Sequence, residues 1–145
     1  MKVVLQRVRS ADVTVDGREV AAIGPGYLLL VGLAEGDDPD TVRRLAGAVA
    51  KARLMPDAGG KMGVNLRDAG AQALAVSQFT LLADFSKGNR PSFHGAAKPE
   101  LAKPLFELFV GELGALLGRP VPAGVFGADM VVRLVNDGPV TVVLE

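Results

Sequence analysis

The chain has 145 residues, of which 49% are hydrophobic, with 16 Lys plus Arg against 16 Asp plus Glu. That length fits one domain spanning 1–145, and the apolar content is enough for a core. Zero net charge excludes a basic nucleic-acid tail, a polybasic membrane patch and an acidic disordered region. There is no Cys and a single His. These counts exclude a disulfide framework, a thiolate nucleophile and a multi-histidine metal site.

The opening Met1-Lys2-Val3-Val4-Leu5-Gln6-Arg7 is broken by charge too early for a signal peptide, and the longest apolar runs fall far short of a bilayer span. A cytoplasmic location is the expectation. Val13 and Val15 alternate with polar Asp12 and Thr14, which predicts a strand, and Asp16-Gly17 supplies a two-residue hairpin turn. Gly24-Pro25-Gly26 is a second turn. Tyr27 to Val31 is a continuous apolar run that fits a strand buried on both faces. Asp38-Pro39 reads as an N-cap followed by proline at the first helical position. Val42, Leu45, Ala46 and Val49 then form one apolar stripe, so a helix is predicted to end near Arg53.

Residues 56–72 are rich in Gly and Asp and read as loop with one short strand. Ala73 to Leu82 reads as a largely buried strand. A second helix is predicted over 99–117, with Leu101, Leu105, Leu108 and Leu116 as its stripe and Gly118 with Pro120 closing it. Pro104 either kinks this helix or marks its start. Val131 to Val135 and Val140 to Leu144 complete the chain as two strands. This order gives an α+β fold: mixed or antiparallel sheets forming a barrel-like core, with two main helices packed on one side.

Three segments conflict with simple folding logic. Ser77-Gln78-Phe79-Thr80 interrupts an apolar strand with three polar side chains, each costly to bury without a partner. In a regular strand Gln78 and Thr80 share a face about 7 Å apart and offer an amide and a hydroxyl to a polar ligand. The alternative is a wet edge strand whose polar groups bond to neighbouring backbone. Asn136-Asp137-Gly138-Pro139 looks like a hairpin turn, but Pro139 lacks the N–H that a two-residue loop needs. A cis Gly138-Pro139 bond and a longer trans-Pro turn are both open. Asp84 to Ala97 is a long polar loop. Across 77–103, Lys87, Arg90, Lys98 and Lys103 face only Asp84 and Glu100, which suits a phosphate or an ordinary solvated loop. His94 reads more readily as a surface residue than as a base. No phosphate loop and no nucleophile elbow occurs. A triad of Ser77 or Ser92 with His94 and Asp84 has no support in the spacing.

Ser77-Gln78-Phe79-Thr80-Leu81, Gly88-Asn89-Arg90-Pro91-Ser92-Phe93, Phe126-Gly127-Ala128-Asp129-Met130 and Val135-Asn136-Asp137-Gly138-Pro139-Val140-Thr141 together resemble the D-aminoacyl-tRNA deacylase family. Leu5-Gln6-Arg7-Val8 and Gly60-Lys61-Met62 match as well, and the likeness runs through essentially the whole chain. The resemblance implies hydrolysis of the ester joining a D-amino acid, or misattached glycine, to the terminal adenosine of tRNA. This is translation quality control by chiral proofreading, carried out by a homodimer with no metal or organic cofactor.

The resemblance also implies that the Ser77 to Thr80 motif lines the pocket, with Gln78, Phe79 and Thr80 as its catalytic part. Gly138-Pro139 would be a cis pair reaching into the other subunit's site, and Arg7 would hold that loop. Phe126 and Met130 would form pocket wall, while Lys87, Arg90, Lys98 and Lys103 are the expected phosphate contacts. An activated ester needs little more than positioning and an oxyanion hole. Backbone N–H groups around Gln78 to Thr80 would serve as that hole, with water as nucleophile and Thr80 in support. The competing readings are a non-catalytic module binding the aminoacylated 3′ end of tRNA and a homodimeric interaction protein.

Overall fold

The computed structural model describes residues 1–145. The long strand β1 (Lys2–Val15) turns through Asp16 (φ 50°) and Gly17 (φ 76°) into β2 (Arg18–Ile23), as the Asp-Gly pair requires. Strand β3 (Gly26–Gly32) returns antiparallel to β1, buried on both faces. Helix α1 (Pro39–Lys51) follows, with the Asp38 carboxylate accepting the Thr41 N–H at 2.8 Å and Val42, Leu45, Ala46 and Val49 buried. A small hairpin, β4 (Met55–Pro56) and β5 (Met62–Val64), leads to β6 (Gln72–Ser77), which pairs parallel with β3. Parallel pairing needs a crossover of this length, and α1 with the hairpin provides it. Helix α2 (Pro99–Leu117) packs on α1 and ends at Gly118, whose φ of 71° is a left-handed C-cap. Strand β7 (Val131–Leu144) closes the sheet against β1. No helix is long and apolar enough to cross a membrane.

The result is an α+β fold with a curled, mixed sheet in the form of a half-barrel. One face of the sheet buries Val3, Leu5, Tyr27, Leu29, Ala73 and Ala75 under both helices. The other face buries Val8, Ala11, Val13, Leu28, Leu74 and Val76 as the sheet curls back on itself. By simple alternation Val8 lies on the opposite face from Val3 and Leu5, and Arg9, an extra residue in the ladder between Val8 and Ser10, keeps Ala11 and Val13 on the same face as Val8. A bulge of this kind shifts the alternation and sharpens the bend.

Four expectations are corrected. The strand expected over Ala73 to Leu82 ends at Ser77, and Phe79–Leu82 form a 3-10 turn. In α2 the buried face is Ala102, Leu105, Phe106, Phe109, Leu113 and Leu117, while Leu101 and Leu116 are exposed. The aromatic residues fix this face, and a leucine-only stripe misplaces it. Pro104 lies inside α2 and does not mark its start. Lastly, Val131–Leu144 is one strand, not two: both halves pair with β1, and no chain reversal occurs at Asn136 to Pro139. The Gly138-Pro139 peptide is cis.

Candidate active site

Strands β3 and β6 run side by side and end together at Val31, Gly32 and Ser77. Crevices form beyond the carboxyl ends of such parallel strands because their connections diverge there. Here three connections form the walls. After β6 the chain enters the 3-10 turn, which lies on β3: the Gln78 N–H donates to the Val31 carbonyl at 2.7 Å. After β3 the chain pairs with the run into α2, the Ala97 N–H donating to the Leu33 carbonyl and the Glu35 N–H to the Gly95 carbonyl, both at 2.9 Å. After α2 the chain runs beside β6, with Ala75 N–H to Pro122 carbonyl at 3.0 Å and Gly124 N–H to Ala75 carbonyl at 2.9 Å. This last contact sets the course of residues 126–130.

These walls enclose a cavity of about 630 Å³. Val31, Leu33, Val76, Phe93, Phe126 and Met130 supply apolar surface, and Ser77, Gln78, Lys98 and Asp129 supply polar groups. Phe126 leans on Phe106 of α2, with ring centroids 6.2 Å apart. Phe79 and Phe93 meet edge to face at 5.0 Å. Gly124 leaves room for Met130, whose sulfur would lie 2.6 Å from any Cβ at that position.

The 3-10 turn leaves two donors unused. Its internal bonds begin with the Leu81 N–H to the Gln78 carbonyl, so the Phe79 and Thr80 N–H groups have no acceptor in the chain. The Gln78 N–H is committed to Val31 and is not available. Thr80 is exposed, and its hydroxyl accepts a hydrogen bond from Gln78 Nε2. No His, Lys or carboxylate bonds to that hydroxyl. An amide cannot take up its proton, so Thr80 is not activated as a nucleophile. Asp84 does not serve His94 either. Its carboxylate accepts the Ser86 N–H at 2.8 Å and the Ser86 hydroxyl at 3.0 Å, which hold its pKa below the ordinary aspartate value. The Ser-His-Asp combination is therefore absent.

The remaining sequence-named residues divide by location. Lys98 lines the cavity, Lys87 and Arg90 project from the adjoining loop, and Lys103 belongs to a neighbouring groove with Phe106, Glu107 and Phe126. Arg7, Gly138 and Pro139 do not line their own chain's cavity. Between Val8–Asn136 and Gln6–Thr141, the four residues Asp137 to Val140 stand opposite Arg7 alone. Arg7 holds the base of this projecting loop. Its Nε donates to the Asp137 carbonyl at 3.0 Å and one terminal nitrogen donates to the Leu54 carbonyl at 2.7 Å, while the Asp137 carboxylate lies within 3.6 Å. Gly138 has φ 129°, and a Cβ there would meet Val140 at 2.8 Å and the guanidinium at 3.3 Å. Phe93 and Asp129 also line the cavity; both lie within the motifs that carry the family resemblance, but the sequence reading assigns no role to either.

A family model described as D-Tyr-tRNA(Tyr) deacylase matches residues 4–145. The D-aminoacyl-tRNA deacylase of Chromobacterium violaceum is 54% identical over 145 residues, which is all of this chain and 97% of that one. The D-aminoacyl-tRNA deacylase of Thermomicrobium roseum is 57% identical over 145 residues, with 100% and 94% covered. A solved structure described as a c-Myc DNA unwinding element binding protein superposes with a TM-score of 0.94 at 37% identity, covering 100% of this chain and 98% of its own. Another, described as a probable eukaryotic D-amino acid tRNA deacylase, shares the fold at a TM-score of 0.86 and 17% identity, with 99% and 97% covered.

Fold, cavity and relatives define a class, the hydrolases that act on aminoacyl-tRNA. Within it the chain belongs to the D-Tyr-tRNA(Tyr) deacylase family, and it removes D-aminoacyl groups from tRNA.

Proposed function

We propose that the chain acts as one domain over 1–145 and that the cavity beyond β3 and β6 holds the aminoacylated terminal adenosine. The observation that carries this is the pair of unpartnered N–H groups on Phe79, which lines the cavity, and on Thr80, the next residue along the turn. Water adds to the ester carbonyl, and the negative charge that develops on its oxygen is met by those two donors. Collapse breaks the bond to the ribose oxygen, which takes one proton of the attacking water and leaves as a free hydroxyl, while the other proton passes to solvent and the amino acid departs as its carboxylate. The neighbouring ribose 2′-hydroxyl assists the water, and Thr80, held by Gln78, orients it. Preorganised donors of this kind contribute several kcal/mol to acyl transfer without a strong base. Ser77, Phe126 and Met130 shape the amino acid and adenosine sites. Lys87, Arg90, Lys98 and Lys103 meet phosphates.

Handedness is read by exclusion. The projecting Gly138-Pro139 pair lies away from its own cavity, and β7 exposes Val131, Leu134, Val135 and Val143 along an edge strand. Such edges are normally covered. A homodimer covers this one and delivers each loop tip to the partner's cavity. Carbonyl oxygens there occupy the space of an L side chain, whereas a D side chain or glycine escapes them. The cytoplasm is the compartment where this substrate occurs.

The deciding assay follows ester loss from D- and L-tyrosyl-tRNA. D-tyrosyl-tRNA is expected to be cleaved far faster, and Thr80→Ala to keep most of that rate. Comparable cleavage of the L ester overturns the exclusion mechanism. Complete loss in Thr80→Ala makes the hydroxyl the nucleophile.

A further inference from the structure

The loop between Asp84 and Ser92 is closed at its stem by two backbone hydrogen bonds, Asp84 N–H to Ser92 carbonyl at 2.8 Å and Ser92 N–H to Asp84 carbonyl at 2.9 Å. Inside it, the Gly88 N–H donates to the Phe85 carbonyl at 3.2 Å, and Gly88 takes φ 130°. The Asp84 carboxylate ties down Ser86. This is a fixed ribbon, not a loose tether, and its stem continues directly into Phe93 of the cavity wall. The side chains it presents are unusual for a solvated loop. Phe85 is 58% exposed and has no aromatic partner. Lys87 and Arg90 are exposed and form no ion pair. An exposed aromatic ring with free cations two and five residues further along the same loop is a combination that binds single-stranded nucleic acid: the ring stacks on a base and the cations follow the phosphates.

We propose that Phe85, with Lys87 and Arg90, is a docking platform for the unpaired nucleotides that precede the terminal adenosine of tRNA, with Phe85 stacking on a base. This rests on the cavity holding the aminoacylated adenosine. It adds that affinity for whole tRNA comes from a second contact outside the cavity. It also accounts for tRNA recognition by a chain of zero net charge, because stacking needs no excess of cations.

The test compares two substrates, D-tyrosyl-tRNA and D-tyrosyl-adenosine, in the wild type, Phe85→Ala, Phe85→Trp and Lys87→Ala/Arg90→Ala. Phe85→Ala is expected to raise KM for the tRNA about five-fold or more and to leave kcat unchanged. It should leave both constants for the adenosine ester unchanged, and Phe85→Trp should restore the tRNA KM. The double cation variant should flatten the salt dependence of tRNA KM by roughly 0.7 log units per log unit of salt for each charge removed. An unchanged tRNA KM in Phe85→Ala, or an equal loss on both substrates, overturns the platform. Failure of the wild type to cleave the adenosine ester instead overturns the cavity assignment, so the two outcomes are separable.

Discussion

Tyr27 and Arg7 sit opposite each other in the β1–β3 ladder and tie the sheet to what surrounds it. The fully buried Tyr27 hydroxyl donates to the Ala52 carbonyl and accepts the Leu54 N–H, both at 3.1 Å, so one side chain satisfies the chain as it leaves α1. Tyr27→Phe strands both groups and should cost about 1–3 kcal/mol of stability, read from denaturant unfolding. Burial raises the phenol's pKa above its ordinary value, against the opposing pull of the Leu54 N–H and the Arg7 charge. The folded state therefore favours the protonated phenol. That stabilisation is complete below about pH 10, the unfolded value, and fades as pH rises through the higher folded value. The wild type should lose stability at alkaline pH more steeply than Tyr27→Phe. Tyr27 was legible as core from its apolar run, but its two hydrogen bonds were not, since nothing in the sequence brings Ala52 and Leu54 to it.

The 3-10 turn depends on Gly32. A Cβ there would lie 2.7 Å from Leu82 Cδ2, 3.0 Å from the Gln78 carbonyl and 3.0 Å from Leu81 Cβ. A backbone oxygen and a Cβ cannot swing aside, so Gly32→Ala must lift the turn from β3 and move the Phe79 and Thr80 donors. We expect kcat/KM for D-tyrosyl-tRNA to fall at least ten-fold, since misplaced donors lose transition-state contact. Gly47→Ala is the control. Nothing lies within 4 Å of a Cβ there, and in mid-helix the change should stabilise by about 0.5–1 kcal/mol with activity unchanged.

The polar interruption at Ser77 to Thr80 was legible as a break in pattern. Its resolution was not: periodicity finds where a strand pattern fails, whereas the hydrogen bond from Gln78 to Val31 decides what replaces it. α1, by contrast, was legible almost to the residue, because its cap and its stripe point to the same helix.

At the scale of the molecule, β7 gives the fold its unfinished side. Val135 is 53% exposed and Val143 58%, on a strand with one unpaired edge. Val135→Lys with Val143→Lys should leave the fold intact and shift sedimentation from dimer to monomer. Stereoselective deacylation should be lost in parallel. A monomeric wild type with full selectivity would show that the cavity discriminates by itself. The sequence made the two halves of β7 visible as valine-rich runs, and Pro139 marked the trouble between them. It could not show that both runs pair with one neighbour, because strand pairing over 130 residues leaves no local trace.

The unequal count opposite Arg7 has one more consequence. Without Asp137, Gly138 and Pro139, Val140 would face Arg7, and the pairings Val8–Asn136 and Gln6–Thr141 would stand as they do now. The three residues are thus an insert in an otherwise continuous ribbon, tied to it by Arg7. A chain shortened by these three residues is expected to keep the β1–β7 pairing, and its preference between D and L esters tests the role proposed for the loop.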